Sequence, residues 1–181
     1  MIDESGLLMA PLVKRTWALR GHRPVLLQKG KHREKISLAM ALWLSPQRDR
    51  LGLIYQTLVN GYFNNEQVAG FLESVAREIP DRIVVLWDGG TMHEGDPIRS
   101  EINRLRPRLS VEWLPPWAPM LDPVEQIFSW LKYGRLPNYC PQDARELNKM
   151  VFAELNTIYQ GQECLRNFWH ASDLPLPDPL N

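Results

Sequence analysis

Residues 82–88, Arg82-Ile-Val-Val-Leu-Trp-Asp88, run straight into Gly89-Gly90. Five consecutive apolar residues, three of them β-branched, end at a turn sequence, which predicts a short strand buried on both faces, as in parallel sheets. Asp88 then stands at its carboxyl end. Upstream, Val68, Phe71, Leu72, Val75, Ala76 and Ile79 recur at helical spacing behind an N-cap at Asn64 or Asn65, and Pro80 stops the helix. Downstream, Asp96 as N-cap and Pro97 at the first helical position open a second helix with Ile98, Ile102 and Leu105 on one face. Residues 109–114 follow as another strand, closed by Pro115-Pro116. Strands separated by helices require crossover connections, and therefore a sheet with a parallel portion.

Working outward, the apolar residues between Ile2 and Met9 predict a first strand that carries Asp3 near its start. Residues 35–44 and 51–59 are β-like runs, and Ser45-Pro-Gln-Arg-Asp-Arg50 between them has the turn chemistry of a hairpin with a longer loop. Residues 24–28 read as a further extended segment. A third helix opens at Asp122-Pro123 with Val124, Ile127, Phe128 and Leu131 as its apolar stripe, and helical patterns recur over 144–158 and 162–169. The whole predicts an α/β domain over residues 1–170, a mixed sheet flanked by helices, followed by a proline-rich, disordered tail over 171–181. This element order is that of the ribonuclease-H-like fold, and order alone leaves other α/β folds open.

Composition narrows the class. The chain has 181 residues, 21 Lys+Arg against 21 Asp+Glu, and two cysteines 24 positions apart. This suits one domain, without a zinc ribbon or a disulfide framework, in a reducing cytoplasm. No run approaches the roughly 20 apolar residues of a membrane span, and Asp3 and Glu4 stand where a signal peptide would be positive. The balanced charge is unevenly spread. Between Lys14 and Lys35 lie eight cations, Lys14, Arg15, Arg20, Arg23, Lys29, Lys31, Arg33 and Lys35, against the single acid Glu34. With Trp17 among them, this window suits phosphate neutralisation, while the acidic remainder suits divalent metal. The plainer reading is a solvated, charge-rich loop.

Three acids stand out by position: Asp3 on the first strand, Asp88 at the end of the buried strand, and Glu125 in the first turn of the third helix. Each has a structural alternative. Asp3 taken alone reads as a frayed, solvated terminal residue, and Asp88 as part of an Asp-Gly-Gly turn that caps the segment before the next helix. Asp122-Pro-Val-Glu125 has the spacing of a capping box, in which Glu125 serves only the helix end.

Taken together, the string from Arg82 to His93 and the string from Leu109 to Lys132, with its Leu-Pro-Pro-Trp-Ala-Pro and Asp122-Pro-Val-Glu125 segments, closely resemble the DDE transposases of the mariner superfamily, the bacterial insertion-sequence branch most nearly. Asp3-Glu4-Ser5-Gly6 and Arg15-Thr16-Trp17-Ala18 look like the family's first catalytic block, so the resemblance covers about residues 1–135. It implies a ribonuclease-H-like fold and a catalytic, metal-binding triad at Asp3, Asp88 and Glu125, spaced by 85 and 37 positions. It also implies supporting roles for His93, which would orient a carboxylate or phosphate, for Asp122, and for Lys132, which would meet a DNA phosphate or pair with Glu125. DNA contacts fall to Lys14, Arg15, Trp17, Arg20, Arg23, Lys29, Lys31 and Arg33.

The chemistry so implied is DNA cleavage and strand transfer with two Mg²⁺ ions, or Mn²⁺ as substitute, since hard carboxylate oxygens suit these ions and a pair can stabilise attacking and leaving oxygens together. Clustered carboxylates without metal should repel and raise one another's pKa values. The family's asparagine after the second aspartate is Gly89 here, and its asparagine before the Pro-x-Glu is Asp122, which changes the surrounding hydrogen bonds. The family's amino-terminal helix-turn-helix is absent from this chain, and the strand holding Asp3 reads as a stump. The expectation is thus a catalytic domain apart from its DNA-reading half, acting as a homodimer or with a separately encoded DNA-binding portion. The alternative is an inactive remnant that only binds nucleic acid or another subunit.

Overall fold

The computed structural model describes residues 1–10, 12–27, 34–90, 93 and 95–175. Five strands, β1 (Ile2–Leu8), β2 (Lys35–Leu44), β3 (Leu51–Val59), β4 (Ile83–Trp87) and β5 (Leu109–Trp113), form one sheet in the order β3-β2-β1-β4-β5. β2 is antiparallel to β1 and β3, whereas β4 is parallel to β1 and β5. Helices α1 (Asn65–Glu78) and α2 (Asp96–Leu105) supply the crossovers. α3 (Pro123–Ser129), α4 (Ala144–Tyr159) and α5 (Gln162–His170) follow the sheet. This is the mixed, helix-flanked sheet of the ribonuclease-H-like fold.

β2 explains why the sheet is covered on both sides. Its Ile36, Leu38, Met40 and Leu42 face the core shared with α3, α4 and α5, while Ala39 and Ala41 face the core shared with α1 and α2. Alternation at period two sends successive side chains into opposite layers, and both layers are apolar. β4 departs from expectation. Ile83, Val85 and Trp87 are buried against α1 and α2, but Val84 on the other face is exposed. The later helices pack over β1, β2 and β3 and leave that end of β4 bare.

The local signals of α1 hold. Asn64 caps α1, its side chain accepting from the Glu66 and Gln67 amides, and Ile79 ends the helix before Pro80. Asp96 does not cap α2; Gly95 holds the cap position, without a side-chain bond. Residues 24–27 form no strand, and residue 28 lies outside the described residues. β1 is no stump, because all seven residues from Ile2 to Leu8 pair with β2. Part of the expected tail is held in place. Ser172 is buried, the Asp173 amide donates to the Met120 carbonyl at 2.9 Å, and Trp169 Nε1 donates to the Pro175 carbonyl at 3.2 Å. Residues 176–181 lie outside the described residues. Cys140 and Cys164 are free thiols, and among the described residues no helix is long and apolar enough to cross a membrane.

Candidate active site

β1 and β4 run parallel side by side, with Ile2 opposite Trp87. The next residue on each strand path is an aspartate, so this one register places Asp3 beside Asp88. α3 packs against β1 and β2, and it brings its first turn to the same end of the sheet. Asp3, Asp88, Asp122 and Glu125 together line one cleft of about 480 Å³, with Gly89, Gly90 and residues 114–119 as the remaining wall. A side chain built at Gly89 would meet nothing, so the departure at this position leaves the cleft open.

The helix start separates two readings of Glu125. Asp122 Oδ1 accepts from the Val124 amide at 2.8 Å, which makes it a genuine N-cap. The reciprocal half of a capping box is missing, since the Asp122 amide donates instead to the Pro119 carbonyl at 3.0 Å. Glu125 is exposed on the cleft rather than spent on the helix end.

Crowded carboxylates shape the electrostatics. Burial, then the charges of Asp122 and Glu125, push Asp3 up to about 8, against the opposing hydrogen bond from the Glu4 amide at 2.8 Å. Burial also pushes Asp122 up to about 6, partly offset by the Val124 amide. In both cases burial is the largest cause; neighbouring carboxylates add to it, and the amino-terminal charge opposes it at Asp122. Among the described residues, no three His, Cys, Asp or Glu side chains converge closely enough to ligate one ion. The cleft offers hard oxygen donors around an opening, suited to an ion that keeps waters or substrate oxygens among its ligands.

His93 ties the second aspartate to the first strand. Its Nδ1 lies 2.9 Å from Asp88 Oδ1 and its Nε2 lies 3.0 Å from Glu4 Oε2. The ring is buried and stacks on Trp87 at 4.1 Å, which in turn stacks on Trp113 at 6.0 Å. Burial works against the imidazolium, but the hydrogen bond and charge of Glu4, followed by those of Asp88, outweigh it and hold the His93 pKa above its ordinary value. A doubly protonated ring donates to both carboxylates at once. Glu4 was not among the predicted site residues. Its signal was slight, an acid next to Asp3 on a strand whose flanks are otherwise apolar.

Lys132 neither enters the acidic cleft nor meets Glu125. Its Nζ donates to Ser5 Oγ at 2.5 Å and sits 5.8 Å from the Phe128 ring. The i, i+7 alignment with Glu125 presumes 3.6 residues per turn, whereas residues Trp130–Arg135 wind as a wider π-helical turn. Of the basic residues, Lys14, Arg15, Arg20 and Arg23 are exposed, with Trp17, on the irregular connection between β1 and β2. The connection is anchored by Asn138, whose side chain accepts from the Lys14 amide and donates to the Lys14 carbonyl, each at 2.9 Å, and Lys14 Nζ donates to the Tyr133 carbonyl. Lys29, Lys31 and Arg33 lie outside the described residues.

An acidic cleft thus lies at the β1–β4 seam of this sheet, and residues 1–148 match the DDE superfamily endonuclease family. The chain belongs to that family. Its fold is similar to that of the Mos1 transposase paired-end complex with left transposon end, at TM-score 0.64 and 16% identity, covering 94% of this chain and 50% of that one. It is also similar to the catalytic domain of Mos1 mariner transposase, at TM-score 0.55 and 15% identity over 94% of this chain and 72% of the other. A third likeness is to the Mos1 transposase catalytic domain with raltegravir and Mg, at TM-score 0.53, 16% identity and coverage of 76% and 68%. The chain spans about half the length of the Mos1 transposase in its complexes with transposon ends. No curated protein matches it.

Proposed function

We propose that this chain is the catalytic domain of a transposase that cuts DNA at the ends of a mobile element and joins the freed 3′ hydroxyl to target DNA. The observation that carries this reading is the meeting of Asp3, Asp88 and Glu125, from β1, the end of β4 and the start of α3, in one cleft. Asp3, Asp88 and Glu125 would hold divalent cations, whose charge would offset the repulsion from Asp122 and Glu125 that adds to burial in raising the Asp3 pKa. Two Mg²⁺ ions, or Mn²⁺ in their place, would stabilise attacking and leaving oxygens of an in-line displacement at phosphorus. His93 keeps the Asp88 carboxylate in place, and Asp122 fixes the start of α3 and so the direction of Glu125. Lys14, Arg15, Arg20, Arg23 and Trp17 would bind the DNA backbone and its bases in the cytoplasm. Two ends must be held together for transposition, which calls for a second copy or a separately encoded DNA-binding portion.

The test is nicking of supercoiled plasmid by the purified chain in Mn²⁺, alongside Asp88→Ala, with DNA affinity measured across a salt series. The reading requires nicking that Asp88→Ala abolishes, together with binding that weakens when Arg20 and Arg23 are reversed to glutamate. Salt-dependent binding without any nicking, indifferent to Asp88→Ala, would replace it with that of a nucleic-acid-binding module alone.

A further inference from the structure

Trp117 is held outward on the rim of the acidic cleft. Its side chain is 96% exposed, and its backbone adopts φ 62°. A bulky aromatic in the left-handed region is an outlier that persists only where the surroundings enforce it. Here they do. The Leu114 amide donates to the Trp87 carbonyl at 2.7 Å on the entering side. On the leaving side the Leu121 amide donates to Ala118 at 3.0 Å and the Asp122 amide to Pro119 at 3.0 Å, while Asp173 clamps Met120. Pro115, Pro116 and Pro119 remove further backbone freedom. The other tryptophans of this region behave differently, for Trp87 is buried and Trp113 lies against it.

An indole presented in this way forgoes a large apolar burial, and the frame fixes the backbone from which it projects. The chemistry of the rim selects the ligand. Residues 113–120 contain no lysine or arginine to hold a phosphate at the rim itself. The neutral π-face of a nucleobase is the part of a nucleic acid that such a rim can hold. A base within a duplex has both faces covered by its neighbours, so the open face belongs to an unpaired base.

We propose that Trp117 is a stacking platform for an unpaired DNA base next to the phosphate being cut, an inference that rests on the reading of the cleft as a DNA-cleaving site. The test uses two hairpin oligonucleotides in Ca²⁺ buffer, one blunt and one with a short single-stranded 5′ extension bearing 2-aminopurine at its first unpaired position. The wild type is expected to bind the extended hairpin about 5- to 150-fold more tightly, the equivalent of about 1–3 kcal/mol per stacked base, and to quench the 2-aminopurine. Trp117→Ala removes both the preference and the quenching, Trp117→Phe keeps most of each, and blunt-hairpin affinity is the same in all three. Preference and quenching that survive Trp117→Ala, equal loss for both hairpins, or a change confined to the mass in solution would each overturn the proposal, the last in favour of a protein contact. A wild type that binds both hairpins equally refutes the platform alone, whereas one that binds neither refutes the DNA-cleaving reading beneath it.

Discussion

Replacing Asp3 by asparagine removes a carboxyl that the fold keeps protonated at neutral pH. In the unfolded chain an aspartate titrates near 3.9, whereas burial, with Asp122 and Glu125 nearby, lifts Asp3 to about 8 in the folded chain. Below about pH 4 both states carry the proton and the group is neutral in its effect. Between about pH 4 and 8 the unfolded chain has released it and the folded one has not, so stability declines as pH rises. At about 1.4 kcal/mol per pH unit the cost at pH 7 is about 4 kcal/mol, an upper bound because this carboxyl keeps some contact with water. Asparagine preserves the shape and the acceptor for the Glu4 amide. Asp3→Asn should therefore melt roughly 10 °C higher at pH 7, given about 2–4 °C per kcal/mol for a chain of this length, and no higher at pH 4. A shallower slope below about pH 6 should remain from Asp122. The assay is thermal and urea unfolding from pH 4 to 8, with and without Mn²⁺. Mn²⁺ should stabilise the wild type near neutrality, by favouring the ionised carboxylate, and leave Asp3→Asn unmoved. A variant no more stable than wild type at pH 7, or a difference independent of pH, would refute the reasoning.

Glu125→Gln should leave urea stability within about 0.5 kcal/mol, because the exposed side chain makes no cap bond, while calorimetric Mn²⁺ binding falls; a larger stability loss would restore a capping role. Arg135→Ala should lower the midpoint of urea unfolding. It strips the bidentate partner, at 2.6 and 2.9 Å, from the buried Glu154 carboxylate, and an unchanged midpoint would show that water replaces the guanidinium. Trp117→Gly should raise stability by roughly 1 kcal/mol through relief of the positive φ, less the entropy that glycine adds to the unfolded chain, and a lower melting temperature would show that the indole packs on the fold after all.

What could be read in advance followed the range of the interaction. β2, β3 and α1 are legible because β-like runs bounded by turn residues, helical spacing and caps act within a few residues. The bare face of β4 was not, since the five apolar residues before Asp88 do not reveal which helices cover them. Lys132 was misplaced because a π-helical turn shifts the phase of everything after Ser129, and local composition does not announce it. Glu4 was passed over because its partner, His93, lies 89 positions away.

The amino-acid sequence by itself determined most of the strands and helices, that a helical crossover joins the strand ending at Asp88 to a further parallel strand, and which acids were candidates for one site. Tertiary structure alone decided that Glu125 faces the cleft instead of closing a capping box, that Glu4 reaches Asp88 through His93, and that Trp117 stands free above four carboxylates. The division has a physical cause. Propensity, periodicity and capping are short-range and written in neighbouring residues, whereas burial, mutual repulsion and side-chain aim depend on the strand order β3-β2-β1-β4-β5, which brings distant residues to one seam.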